Sequence, residues 1–384
     1  MIPYGRQDIT QDDIDAVVAV LRSNFLTQGP QVPRFEAKLA AYCGGAYAVA
    51  VNSATSALHV ACLALGLGEG DWLWTTPNTF VASANCALYC GAQVDFVDID
   101  PHSWNMCPQA LAKKLAVAEK AGRLPRIVVP VHLCGTSCDM LAIHELGQRY
   151  GFKIIEDASH AIGARYRGEP VGNCRHSDIT VFSFHPVKIV TTAEGGATLT
   201  NRADLAEKMA LLRSHGITRD PRLMSKAPDG PWYYEQVGLG FNYRMTELHA
   251  VLGVSQMDRL DEYVSRRHEI ATRYDELLAG LPLRIQQRAD YSALHLYVIR
   301  LNLEEIKKSH REVFVALRER GVGVNLHYIP VHTQPYYRAM GFAEGDFPEA
   351  ERYYSEAISL PMYPGLTEAD LLKVAGALKE AIQG

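Results

Sequence analysis

Residues 47–65 read YAVAVNSATSALHVACLAL. The first five are small or apolar, with no polar alternation, so the segment reads as a strand buried on both faces. A polar turn at Asn52 and Ser53 ends the run, and an apolar helical pattern starts directly behind it. A doubly buried strand that feeds a helix is the repeating unit of an α/β fold. The same alternation recurs down the chain. WLWTT (72–76) leads into FVASANCALYC (80–90), and VDFVDI (94–99) into PQALAKKLAVAEK (108–120). RIVVPV (126–131) leads through a loop into MLAIHELGQRYG (140–151). KIIED (153–157), ITVFSF (179–184) and GATLT (196–200) follow, the last before ADLAEKMALLRSHG (203–216). The pattern predicts a mainly parallel, doubly wound sheet, whose ligands bind at the carboxyl ends of its strands.

Around this centre, Thr10 precedes an amphipathic helix with Ile14, Val17, Val18 and Leu21 on one face and acids in its first turn. Residues 217–243, rich in Pro, Gly and Tyr, read as a long irregular connection, and such loops are often functional. One long helix is expected from about residue 246, TELHAVLGVSQMDRLDEYVSRRHEIATRYDELLAGL. The 384 residues suffice for two domains. The expected division is a large α/β domain over 1–245 and a smaller α+β domain over 246–384, with the N-terminal helix packed near the smaller one.

The composition, 48% hydrophobic and 21% charged, is that of an ordinary globular protein. Net charge is -5 and the basic residues are scattered, which argues against nucleic-acid or membrane-surface partners. MIPYGRQDIT carries no basic segment followed by an apolar run, and no long uninterrupted apolar stretch occurs. A cytoplasmic protein is expected. The eight cysteines form no C-x-x-C and lack histidines at zinc spacing, so free thiols and no metal are expected.

Three strand ends carry candidate chemistry. NSATSALH offers first-turn N–H groups and the hydroxyls of Ser53, Thr55 and Ser56 to an anion, though simple N-capping reads equally well. No G-x-G-x-x-G or Walker-type cradle is present. EDASHA places Asp157 at a strand end with His160 close behind. Asp157 can pair with a cationic heterocycle or merely cap a helix, and one histidine is weak evidence for a metal. TVFSFHPVKIVTTAEGG (180–196) holds Lys188 in apolar surroundings beside Ser183 and His185. Desolvation there would lower the lysine's pKa and free a nucleophilic amine. An anion cradle, a carboxylate and a reactive amine together are what pyridoxal phosphate requires.

The sequence resembles the fold-type I pyridoxal-phosphate enzymes, and within them the DegT/StrS-like nucleotide-sugar aminotransferases. LTQGPQVPRFE, VNSATSALH, PNTFVAS, EDASHAIGA, FSFHPVK, AEGG, LRSHG, GFNYRMTE and HYIPVH carry the resemblance over nearly the whole chain. YGRQDI, CALYCGAQVDFVDID, GPWYYEQVGLGFNYRMTE and HYIPVHTQPYYR look most like the subgroup of pseudaminic acid biosynthesis. The resemblance implies an aspartate aminotransferase-like fold and pyridoxal 5'-phosphate bound covalently as a Schiff base to Lys188. It implies that Asp157 pairs with the pyridine nitrogen, Phe80 stacks on the ring, and His160 sits near the ring hydroxyl. Thr55, Ser56 and Ser183 would hold the phosphate, with Ala54 supplying backbone. Asn242 would reach the phosphate of a neighbouring protomer, giving a homodimer with active sites at the interface.

The implied reaction is ping-pong. L-Glutamate leaves its amino group as pyridoxamine phosphate, and a UDP-linked 4-keto-6-deoxy sugar accepts it, most closely UDP-4-keto-6-deoxy-N-acetyl-altrosamine. Tyr4, Arg6, Thr27, His185, His327 and Tyr328 are the expected acceptor-site residues; for His327, packing in the smaller domain reads equally well. Rival readings are an aminotransferase for another UDP- or dTDP-linked keto-sugar, a dehydratase and a non-enzymatic cofactor-binding regulator. Dehydratases of this kind typically carry His in place of the lysine, and the intact Lys188, Asp157 and Ser183 disfavour both of the last two.

Overall fold

The computed structural model describes residues 1–383. Its central sheet has seven strands: β1 (Tyr47–Val51), β2 (Trp72–Thr75), β3 (Gln93–Phe96), β4 (Ile127–Val129), β5 (Lys153–Asp157), β6 (Ile179–Ser183) and β7 (Gly196–Thr200). Their spatial order is β1-β7-β6-β5-β4-β2-β3. The β3–β2, β2–β4, β4–β5 and β5–β6 pairs are parallel. β7 runs antiparallel to both β1 and β6. The reason lies in the sequence: no helical pattern separates β6 from β7, so residues 184–195 turn the chain straight back.

Helices cover both faces of the sheet, as an apolar strand pattern requires. On one side, α3 (Ala54–Ala64) and α4 (Ala82–Tyr89) pack with Val49, Val51, Ile155 and Val181 in one core. On the other, α2 (Gln31–Cys43) brings Phe35 and Leu39 onto Phe182, Phe184, Ala197 and Leu199. The remaining strand-connecting helices are α5 (Pro108–Lys120), α6 (Met140–Tyr150) and α7 (Ala203–Arg213). The first helix, α1 (Gln11–Leu21), starts at Thr10, whose N–H donates to Asp13 Oδ2 at 3.0 Å.

The expected long helix after residue 246 is two helices, α8 (Glu247–Met257) and α9 (Leu260–Leu277). The break falls at Arg259, where ψ is 7° and the helical path is lost. The arginine turns to Asp13 (2.6 Å) and to Tyr263 Oη (2.9 Å), fastening α1 beside the break. α8 therefore belongs to the same packed core as α2 and the central sheet. α9 leads to a second, antiparallel sheet of β8 (Leu283–Ile285), β9 (Tyr297–Leu301) and β10 (Ala357–Leu360). Its core of Ile299, Leu301, Val313, Ile358, Leu371 and Leu378 is separate from those of the seven-stranded sheet. Ile2 bridges to Val322 beside it, so the N-terminal residues bring Tyr4 toward the second sheet. All eight cysteines are free thiols. Among the described residues, no helix is long and apolar enough to cross a membrane.

Candidate active site

A cavity of about 420 Å³ opens at the carboxyl ends of β5 and β6. Each wall follows from a local sequence feature. Asp157 ends β5 and faces the cavity. Its Oδ2 accepts from Ser83 Oγ on α4 at 2.6 Å, and its Oδ1 accepts from the Ser159 N–H at 3.1 Å and the Ser159 hydroxyl at 2.5 Å. Ser83 is steered in turn by the Thr79 hydroxyl at 2.8 Å. Two side-chain hydroxyls and an amide thus hold a buried carboxylate at a set angle.

Lys188 lies in the tight return between β6 and β7, where its N–H donates to His185 O at 2.9 Å. Its amine lines the cavity, and the surrounding protein atoms largely exclude water from it, although part of its surface stays open to the cavity. Burial lowers its pKa from 10.5 to about 8, with Asp157 pulling the other way. A sizeable neutral fraction near neutrality makes this amine a competent nucleophile and base.

The anion cradle comes from close backbone approach. Gly196, the first residue of β7, is paired with Val51 on one side and Ser183 on the other. A Cβ on Gly196 would sit 2.5 Å from Ala54 N, so only glycine lets β7 lie against the start of α3. Ala54 and Thr55, in the first turn of α3, line the cavity together with Ser53 and Ser183. First-turn N–H groups have no partner in their own helix and favour an anion.

His160 is buried, with its Nε2 3.0 Å from Tyr328 Oη and its Nδ1 without a partner. Burial, then the charges of Lys188 and His327, hold its pKa well below 6.5. His327 is similarly pushed down to about 3 by burial and then Lys188. Both rings are therefore neutral at physiological pH. Tyr328 Oη is pushed the other way, up, by burial and then Asp157. Phe80 is 58% exposed and lies 6.2 Å from the Tyr328 ring, a free aromatic face at the cavity wall.

The structure brings together Lys188, Asp157, Ala54, Thr55, Phe80, His160, Ser183, Tyr4, His185, His327 and Tyr328. Four expected residues lie outside this cavity. The Ser56 hydroxyl is turned back to Asn52 Oδ1 at 2.6 Å, and its N–H donates to Ser53 Oγ at 3.1 Å, so Ser56 braces the cap and Ser53 faces the cavity in its place. Arg6 and Thr27 are exposed on the surface. Asn242 is also exposed, bridged through its backbone to Ser214.

Sequence reasoning missed Ser83, Ser159, Glu194 and Asn325. Glu194 and Asn325 line the cavity, and Glu194 Oε1 lies 4.0 Å from His185 Nε2. Ser159 had a signal, since Asp-x-Ser is an Asx-turn pattern. Ser83 closes the PNTFVAS motif, but nothing local assigns it a role: it reads as an ordinary residue of a small-residue helix and meets Asp157 from 74 positions away.

The site can be tested for fit to pyridoxal phosphate. A cradle kept open by Gly196 suits a phosphate, a buried carboxylate suits a pyridine N–H, and a desolvated amine suits the aldehyde. The unpartnered Nδ1 of His160 leaves one buried polar atom for a further ligand group. The residues present fit the group.

Comparison with known proteins agrees. Residues 7–379 match the model of the DegT/DnrJ/EryC1/StrS aminotransferase family. The spore coat polysaccharide biosynthesis protein SpsC of Bacillus subtilis is 37% identical, with 100% of this chain and 97% of that protein covered. Among solved structures, Helicobacter pylori PseC, an aminotransferase of pseudaminic acid biosynthesis, superposes with a TM-score of 0.91 at 30% identity, covering 100% of this chain and 99% of that one. The sugar aminotransferase Spr1654 of Streptococcus pneumoniae in its PLP-form superposes with a TM-score of 0.88 at 28% identity, covering 100% and 98%. This chain is a fold-type I sugar aminotransferase that uses pyridoxal phosphate, and it belongs to the DegT/DnrJ/EryC1/StrS aminotransferase family.

Proposed function

We propose that the protein transfers the amino group of L-glutamate to C4 of a UDP-linked 4-keto-6-deoxy sugar, with UDP-4-keto-6-deoxy-N-acetyl-β-L-altrosamine as the acceptor. The observation that carries the chemical part is that Lys188 and Asp157 line one cavity together with the start of α3, against which Gly196 lets β7 lie. The acceptor rests on likeness to PseC, an aminotransferase of pseudaminic acid biosynthesis.

Bound pyridoxal phosphate supplies an electron sink that acidifies the carbon bearing the amino group. The chain supplies the rest. Lys188 would be the anchoring amine and the base that moves a proton from the α-carbon of the amino acid to the cofactor. Its lowered pKa suits both tasks. Asp157, fixed by Ser83 and Ser159, would hold the pyridine N–H. Phe80 would cover one face of the ring, and Ser183 with the first turn of α3 would hold the phosphate. His160, neutral and with a free Nδ1, would face the ring hydroxyl. His185, Tyr4, His327 and Tyr328, which line the cavity, would contact the sugar, with Glu194 beside His185.

The working unit in this reading is a homodimer. Asn242 is exposed and outside its own cavity, as a residue that serves a neighbour's phosphate must be. Arg6 and Thr27 would contact the acceptor. Trp232 and Leu239, 72% and 81% exposed on the loop before Asn242, give that loop an apolar face for the partner. Residues 1–245 and 246–384 would form the large and small domains, with α8 seated on the larger.

Single-turnover mixing with glutamate tests the first half-reaction: the absorbance of bound pyridoxal phosphate should be replaced by that of the amine form. Persistence of the aldehyde-form spectrum would reject aminotransfer from glutamate. Offering UDP- and dTDP-linked 4-keto sugars, with product stereochemistry read by NMR, tests the acceptor. Preference for a dTDP sugar would move the assignment to another member of the family.

A further inference from the structure

A second imidazole packs against that of His160. His295 is 4% exposed, and its ring centroid is 4.4 Å from that of His160, tilted by 43°. His295 does not line the cavity, and its Nδ1 has no hydrogen-bond partner. Its backbone is held firmly. Arg267 on α9 is 2% exposed and donates through Nη1 to Leu294 O (3.2 Å), His295 O (3.1 Å) and Met362 O (3.1 Å). A buried guanidinium bonded to carbonyls rather than to an acid keeps its charge at a cost, so the three bonds must be well made. On the other side, Ala293 N donates to Gly135 O at 3.0 Å, and a Cβ on Gly135 would meet His160 O at 2.8 Å and Leu294 N at 2.9 Å. The loop bearing His295 is thus pressed against the segment bearing His160 with no room for a side chain between.

His160 is 5% exposed, and the Tyr328 ring lies nearly parallel to it at 6.1 Å and 23°. Its one side-chain hydrogen bond runs to Tyr328 Oη, and its Nδ1 is free. One hydrogen bond fixes a point on the ring and leaves the ring plane free to rotate about it. Packing of a flat neighbour against the ring removes that freedom. Burial first, then the charges of His160, Lys188, Arg267 and His327, push the His295 pKa well below 6.5, so its ring is neutral.

We propose that His295 is a positioning residue: its flat, neutral ring, clamped by the Arg267-bound loop, sets the plane of His160 and so the direction in which the free His160 Nδ1 addresses the bound cofactor. The role lies in ring shape, not in a nitrogen that exchanges protons. It rests on the reading that places His160 beside the cofactor.

The test compares His295→Phe, which keeps a flat ring without nitrogens, with His295→Leu, which is close in volume but not flat. Visible circular dichroism of bound pyridoxal phosphate reports how the chromophore is held, and kcat and KM are measured on the same holoenzymes. His295→Phe should stay within about twofold of wild type in kcat and keep the visible band. His295→Leu should weaken that band and lower kcat roughly tenfold with little change in KM, which a general loss of packing would not single out. His295→Met replaces the Leu variant should the latter fail to fold. Equal behaviour of Leu and wild type, or loss of the band in both Phe and Leu variants, overturns the proposal. A wild-type protein that binds no pyridoxal phosphate would instead bring down the cofactor reading itself.

Discussion

Glu156 and Asp157 are adjacent acids on β5, both 5% exposed, and the pleat sends them to opposite faces of the sheet. Asp157 looks into the cavity, where its hydrogen bonds come from Ser83 and Ser159. Glu156 looks away and is closed in by His132, Ser177 and Thr180. The Cys138 N–H donates to His132 Nδ1 at 3.2 Å, so the ring hydrogen is on Nε2, directed at Glu156 Oε2 2.8 Å away. Burial alone would raise the Glu156 pKa, but the hydrogen bonds from His132, Ser177 and Thr180 outweigh it and hold the carboxyl below 4.5. Equal burial thus supports opposite uses. Each carboxylate accepts hydrogen bonds on both oxygens from the protein, but only Asp157 also lines the cavity.

That contrast can be broken by mutation. The largest expected effect is at Asp157. Asp157→Asn should lower kcat by on the order of 10² or more, because an amide no longer stabilises a cationic ring nitrogen. The thermal midpoint of the apoenzyme should barely move, and steady-state kinetics beside a thermal melt would read both. Ser83→Ala should come next. It removes one charge-assisted bond from Asp157, and kcat should fall roughly tenfold, in line with about 1.5 kcal/mol for such a bond. An unchanged kcat would mean that Ser159 alone aims the carboxylate.

Glu156→Gln should reverse the pattern, with kcat within about twofold of wild type and stability reduced by about 1–3 kcal/mol as buried donors lose their charged acceptor. The sign of its pH dependence follows from a folded pKa below the unfolded 4.5. Glu156 contributes stability above pH 4.5, and that contribution is lost as pH falls through the lower folded value. Denaturant melts across the acid range should therefore show a shallower loss in the Gln variant. The smallest effect concerns Lys188 before it meets cofactor. Uptake of pyridoxal phosphate by the apoenzyme needs the neutral amine, so its rate should rise as pH passes about 8 and level off above. A rate that falls over this range would contradict a desolvated lysine.

Much of this was legible in the sequence because burial leaves a periodic trace. All seven central strands stand where doubly apolar runs predict them, and the strand ends lead to Asp157, Ser183 and Lys188. What was not legible depends on direction rather than type. Period-two alternation says that Glu156 and Asp157 face apart, but not which of them meets the cavity. Ser53 and Ser56 carry the same hydroxyl, and only the cap geometry decides that Ser56 turns inward. The helix break at Arg259 is set by a partner, Asp13, more than two hundred residues away. Ser83 closes the PNTFVAS motif, but its partner Asp157 lies 74 positions away, and nothing in the sequence around His295 points to His160.

The central claim is that Lys188 is the anchoring amine of the site. Borohydride reduction of the holoenzyme, followed by proteolysis and peptide mass mapping, tests it most directly. A stable pyridoxyl adduct on the peptide that contains Lys188 is the predicted result. An adduct on any other lysine, with Lys188 unmodified, would contradict it.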